Sequence, residues 1–269
     1  MYKIILSLLM ITSLHLFAYS DYDMDGVDDK IDKCPSTPMS DLVDLEGCTK
    51  KSLTSPHHFD IIFGMNYSQT SYETLQDSDN ITGSLQLDYY YKNFSLQASS
   101  AYYDSSSVSY NDSGINDSFL GAFYKFTPVE KLNIKVGAGA IIPTYESDLD
   151  NNNLDTLASI NVSYIISNIN IFGGFIQTQV NDDDLIDVTY QDTSSYSLGL
   201  GFYPASNIYV SGAYNSSDSI YESVDTITSA SLYTYYSINK NWFSTLSYAM
   251  GLSDTASDNY VSLRVGYYF

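Results

Sequence analysis

Five aspartates stand at ligand spacing near the amino terminus: Asp21, Asp23 and Asp25, then Asp29 and Asp32, with Gly26 and Val27 between the two groups. The run from Asp21 to Gly26 reads D-x-D-x-D-G, and Asp32 falls twelfth when Asp21 is counted as first. In a loop of this form alternate side chains converge on one ion, the glycine permits a sharp turn, and the next residue offers its backbone carbonyl. Such a donor set is hard and all-oxygen. Asp21, Asp23, Asp25, the Val27 carbonyl, Asp29 through a water, and Asp32 are therefore read as a Ca2+ site. An acidic linker is the plain alternative for a run of this charge.

The loop continues directly into Asp32-Lys33-Cys34-Pro35-Ser36-Thr37-Pro38 and then Val43-Asp44-Leu45-Glu46-Gly47-Cys48. Loop and continuation together resemble a thrombospondin type 3 repeat over residues 21–48. The resemblance implies calcium binding. It also points to OmpA-type outer-membrane proteins, where similar repeats lie beside a barrel; here the repeat comes first, in a single copy. Cys34 and Cys48 are the only cysteines, so in an exported chain a disulfide between them is expected. Closing a loop of this size is worth about 3 kcal/mol on the chain-entropy estimate. That matters for a segment too small to build its own core. A zinc site with His57 and His58 is the weaker option, because these neighbours lack finger-like spacing.

Export itself is expected from the first residues. Lys3 precedes an apolar run from Ile4 to Phe17, and Ala18-Tyr19-Ser20 then supplies small residues where a signal peptidase reads. Residues 1–20 are read as a signal peptide cleaved between Ser20 and Asp21. The apolar run is shorter than the roughly 20 residues that span a bilayer. No long apolar stretch follows it, so membrane insertion must use strands. A formal net charge of −21, from 11 Lys and Arg against 32 Asp and Glu, excludes nucleic acid as a partner. The 27 tyrosines against one tryptophan suit strands with one apolar and one wet face and rings at the membrane boundary.

From residue 56 to 269 the pattern has a period of two. Tyr196, Leu198, Leu200 and Phe202 are apolar at every second position, and the first strand alternates Phe59, Ile61, Phe63, Met65 and Tyr67 with Asp60, Gly64, Asn66 and Ser68. Comparable runs lie near 81–92, 94–103, 118–126, 132–142, 156–166, 169–179, 207–216, 227–238 and 241–250, and the last ends at Phe269. The expected fold is all-β: a transmembrane antiparallel β-barrel of about 12 strands, preceded by the small calcium-loop segment of residues 21–55.

Connections alternate in length. Short ones fall at Lys92-Asn93, Thr127–Lys131, Ser167-Asn168, Pro204–Asn207 and Asn239-Lys240; long ones fall near 69–80, 104–117, 143–155, 180–193, 217–226 and 251–259. The long connections carry Asp and Glu but no Lys or Arg. A soluble sandwich also alternates, but it does not predict this sorting of length and charge. Val261, Leu263, Val265, Tyr267 and the terminal Phe269 resemble the carboxyl-terminal signal by which outer-membrane proteins are recognised for assembly.

The two histidines outside the leader, His57 and His58, are placed before the first strand, so no histidine-dependent catalytic group is expected, and no catalytic residue is assigned. The expected lumen lining is Gln86, Asp88, Gln97, Lys125, Lys135, Asn161, Tyr209, Asn215, Tyr233, Tyr235 and Arg264. It is mostly neutral and too poor in Arg and Lys for acidic sugars. The expected function is a porin-like passive channel for small solutes or cations in the bacterial outer membrane, with the calcium segment periplasmic. The alternative is a non-conducting envelope or adhesion protein whose acidic loops bind cations. Outer-membrane lipid, lipopolysaccharide and the barrel assembly machinery are the expected partners.

Overall fold

The computed structural model describes residues 21, 23–25, 27–37, 43, 45–48, 55–71, 78–107, 111–145, 152–186 and 188–269. The expected leader and Gly26 lie outside these. The described chain forms β1 (His57–Thr70), β2 (Ser78–Tyr91), β3 (Phe94–Ser107), β4 (Asn111–Ile115), β5 (Ser118–Val129), β6 (Leu132–Ile142) and β7 (Asp155–Ile166). It continues through β8 (Ile169–Gln179), β9 (Thr193–Ala205), β10 (Ile208–Ser217), β11 (Ile227–Ser237), β12 (Trp242–Gly251) and β13 (Asn259–Tyr268).

Every pairing is antiparallel, and the ring closes where β1 pairs with β13 on one side and with β2 on the other. β4 and β5 are two parts of one stave. β4 lies against Tyr102–Ser106 of β3 and β5 against Phe94–Ser99, and the Asn116 N–H between them still donates to the Ala101 carbonyl at 2.8 Å. The barrel therefore has twelve staves, as the period-two runs predict. Closure leaves no unpaired edge, which a strand-built structure in lipid requires.

The two faces are inverted relative to a soluble protein. Phe63, Met65 and Leu198 on the outer face are 63%, 67% and 66% exposed, whereas Ser211 and Ser262 on the inner face are 6% and 4% exposed. Aromatic rings gather at the short-turn end. Trp242 meets Tyr267 at 4.9 Å, His58 stacks on Tyr268 at 5.2 Å, and His57 stacks on Tyr91 at 4.9 Å. The turns there are tight, and Lys92 and Ser167 sit in the left-handed region at φ 52° and 58°.

Several strand boundaries differ from those expected. β1 begins at His57, so both histidines lie within the first strand; pairing with Tyr91 and Tyr90 and stacking on tyrosine rings extend the ladder to them. β2 begins at Ser78 and β3 runs to Ser107, so Asp79 and Asp104 belong to strands that continue past the apolar belt. β5 runs through Thr127 and Pro128 to Val129, with a register shift after Phe126 that accommodates the proline. Polar side chains suit such extensions because hairpins outside the belt still satisfy their backbone pairwise. Gln69 and Thr70 stay paired with Asp79 and Ser78 there, and the Tyr67 hydroxyl donates to the Asp79 carboxylate at 2.7 Å.

Candidate functional site

The aspartate loop is arranged by its backbone. The Val27 N–H donates to Asp25 Oδ1 at 2.9 Å, the Cys34 N–H to Asp32 Oδ1 at 2.7 Å, and the Thr37 N–H to Asp23 Oδ2. Each carboxylate thus gives one oxygen to a main-chain donor. The second oxygen of each, Asp23 Oδ1, Asp25 Oδ2 and Asp32 Oδ2, is buried without a hydrogen-bond partner. Carboxylate oxygens of Asp21, Asp23 and Asp25 lie within 4.8 Å of one another.

Burial pushes the Asp23 carboxyl above the ordinary carboxylate range; the Thr37 N–H opposes this and the charge of Asp32 adds to it. Burial likewise raises Asp25, against the Val27 N–H and together with the charges of Asp23, Asp32 and Asp29. Converging, partly desolvated, like-charged oxygens with free lone pairs are what a hard cation neutralises.

Two features hold this loop shut. Cys34 and Cys48 are disulfide-bonded, with Cα atoms 5.0 Å apart. That pairing takes both cysteines out of any zinc site. Gly47 lies at φ 77°, and a Cβ there would fall 2.0 Å from Asp32 Oδ1 and 3.2 Å from Asp25 Oδ2. Only glycine satisfies both constraints. Thr37, which the spacing does not single out, ties the halves together: its hydroxyl lies 2.9 Å from the Cys34 carbonyl and 2.7 Å from the Gly47 carbonyl and can donate to either. An outer ion pair, Lys33 to Glu46 at 2.7 Å, is largely exposed.

The loop touches the barrel. Met24, itself left-handed at φ 60°, presents its sulfur to the Tyr203 hydroxyl, which donates to it at 2.7 Å. Tyr203 faces the lumen two residues before the end of β9, at the short-turn end, and its ring lies 4.9 Å from Tyr209.

The lumen has the polar lining expected, with more aromatic rings than its sequence pattern announces. Several of these rings lie flat along the wall. A Cβ on Gly201 would meet Tyr209 Oη at 2.1 Å, and one on Gly266 would meet Phe243 Cζ at 2.1 Å. Inward glycines therefore make room for cross-strand rings that would otherwise project towards the barrel axis. Lys135 and Lys125 are direct cross-strand partners on β6 and β5, and Lys135 Nζ sits 4.2 Å from the Phe123 ring centroid.

A polar ladder runs across the adjoining staves β13, β1 and β2. Arg264 donates to Gln86 Oε1, Gln86 donates to Asp88 Oδ2 at 2.7 Å, and the Tyr90 hydroxyl lies 3.4 Å from Asp88 Oδ2 and 3.1 Å from Asp60 Oδ2. A cavity of about 460 Å³ opens beside this ladder, and a second of about 330 Å³ lies between Phe172 and Tyr233.

Neither a protein-family model nor a curated protein matches this chain. Solved structures do. An outer membrane channel from Pseudomonas putida F1 superposes with a TM-score of 0.63 at 12% identity, over 81% of this chain and 97% of that one. The NanC porin gives 0.54 at 12% identity, over 78% and 98%. The KdgM porin in complex with disordered oligogalacturonate gives 0.51 at 9% identity, over 77% and 98%. At such identities the likeness concerns the fold, and the fold it defines is the porin-like, twelve-stranded outer-membrane barrel.

Proposed function

We propose that the chain forms a passive channel for small solutes or cations in the outer membrane, with the aspartate loop as a calcium-binding segment on the periplasmic side. The observation that carries the channel reading is the lining: hydroxyl, amide and flattened aromatic groups around cavities of about 460 and 330 Å³. Such walls leave space between the staves instead of filling it with interlocking apolar side chains. The short turns then lie on the periplasmic side, as in barrels of this architecture.

Residues 1–20 serve as the export signal and Phe269 as part of the assembly signal. The ligand set is Asp21, Asp23, Asp25, Val27, Asp29 and Asp32. Three of these carboxylates hold buried, unpartnered oxygens, which fits a hard cation. Calcium would supply charge neutralisation, and the Met24 contact with Tyr203 would then seat the ordered loop at the periplasmic mouth.

Liposome swelling tests the channel directly. Vesicles carrying the refolded protein should swell in isotonic solutions of small neutral sugars, at rates that fall with solute size. Vesicles that never swell, whatever the solute, would favour the non-conducting envelope protein with cation-binding loops.

A further inference from the structure

The barrel interior holds a charge arrangement that the channel reading leaves unused. Asp60 of β1 and Asp88 of β2 are direct cross-strand partners, and each is only 8% exposed. Like charges directly opposite one another on a sheet repel. The Tyr90 hydroxyl lies within reach of both carboxylates, yet it carries a single proton and can satisfy one at a time. Asp60 Oδ1 has no hydrogen-bond partner at all.

Among the described residues, no lysine, arginine or histidine nitrogen comes within 4 Å of either carboxylate. Arg264 lines the same cavity: one of its guanidinium nitrogens donates to Gln86 and its Nε is buried without a hydrogen-bond partner, but it acts on Asp88 only at a distance, as does Lys135. Two buried carboxylates without a contacting cation are costly unless something positive joins them.

The surroundings say which kind of cation. Both carboxylates line the same cavity of about 460 Å³ as the rings of Tyr90, Tyr235 and Phe243, the last two stacked 5.5 Å apart. Aromatic faces attract weakly hydrated organic cations once these are desolvated, and the volume lies within the range of small-molecule sites. We infer that the lumen site at Asp60, Asp88, Tyr235 and Phe243 binds a small solute bearing an ammonium group. The carboxylates take its charge and the rings its carbon substituents. This deepens the channel reading by naming a solute class, but binding itself does not require conduction.

Choline serves as the probe, and 3,3-dimethylbutanol as its neutral isostere. Both are titrated calorimetrically into the full chain, refolded in detergent at fixed ionic strength. Choline should bind saturably, and the isostere at least about tenfold more weakly, because the buried carboxylates are left unpaired. Asp60→Asn should weaken choline by about tenfold or more, and Phe243→Leu should weaken choline by a larger factor than the neutral isostere, which lacks the cation–ring attraction. Heat-modifiable mobility on gels reports whether each variant has folded. If a variant does not fold, the choline and isostere comparison on the unaltered chain still decides.

Equal binding of choline and its isostere would overturn the inference, as would affinity indifferent to Asp60→Asn. Displacement of choline by equimolar potassium would also overturn it, reducing the site to one for inorganic ions. An insulating barrel that still binds choline would refute the channel and leave this site standing.

Discussion

Phe59 and Phe269 close the barrel by exchanging two main-chain hydrogen bonds, 2.9 Å from the Phe59 N–H and 3.0 Å from the Phe269 N–H, with their rings stacked 5.7 Å apart. The terminal residue is therefore a rung of the closing seam as well as the end of an apolar series. Tyr267 adds a further ring contact to Phe269 at 5.7 Å. Deleting Phe269 removes both hydrogen bonds and the stack. The truncated chain is expected to assemble poorly, with most of it losing the heat-modifiable mobility of the folded barrel. Truncated protein that reaches the outer membrane as efficiently as the full chain would contradict this.

Calcium should order the amino-terminal segment without being needed by the barrel. Binding to the folded loop stabilises it by mass action, so millimolar calcium should protect residues 21–48 from proteolysis. Asp25→Ala removes a carboxylate whose Oδ2 is buried and unpartnered, and protection should vanish while the barrel still forms. Gly47→Ala should have the same effect by a steric route, since the added Cβ would fall on Asp32. Calorimetry showing no uptake at about 1 mM calcium would contradict the assignment, because even weak extracellular modules bind in that range.

Acid should release that calcium early. Burial raises Asp23 and Asp25 above the ordinary carboxylate range, so without metal their ionised forms are disfavoured in the folded loop. A raised carboxylate costs the metal-free loop stability above its pKa, and the cost is relieved as pH falls and a proton binds. Calcium and protons thus compete for the same oxygens. Affinity measured from neutral pH downward should begin to fall at a higher pH than free aspartate would dictate. A constant affinity down to the pH where ordinary aspartates protonate would show that burial does not act on these groups.

Much of this architecture is legible in the chain, because a period of two is a local property. Tyr196, Leu198, Leu200 and Phe202 declare their shared face within seven residues, and the long-short alternation of connections declares the two ends. The proposed loop ligands are equally local, all lying between Asp21 and Asp32. What is not legible depends on register or on distance. Asp60 meets Asp88 only because the β1–β2 hairpin pairs them rung for rung, and a shift of one residue would send one of them to lipid. Met24 meets Tyr203 across 179 residues, a contact no spacing predicts. The strand extensions through Asp79 and Asp104 are hidden for a different reason. Polar residues carry no apolar alternation once a strand rises past the belt.

The long connections should set ion preference. Asp182, Asp183, Asp184, Asp218, Glu222 and Asp254 lie at the long-loop end, and no Lys or Arg accompanies them in those segments. Fixed charge of one sign at a low-dielectric mouth concentrates counter-ions, so cations should be favoured. Exposed charges are screened as the Debye length falls from about 10 Å at 0.1 M salt to about 3 Å at 1 M. Reversal potentials under a potassium chloride gradient should show cation preference that fades with salt and weakens when Asp182, Asp183 and Asp184 become Asn. Anion preference in the unaltered chain would contradict this account of the loops.

A passive channel requires the twelve staves to enclose a continuous water path, and such a path carries current through a single molecule. The refolded chain, reconstituted into a planar bilayer in potassium chloride, should give discrete stepwise openings. Deletion of residues 21–55 should give openings at least as large, since that segment sits against Tyr203 at the short-turn end. A bilayer that stays insulating with both the full and the shortened chain, each shown to be folded and inserted, would contradict the channel.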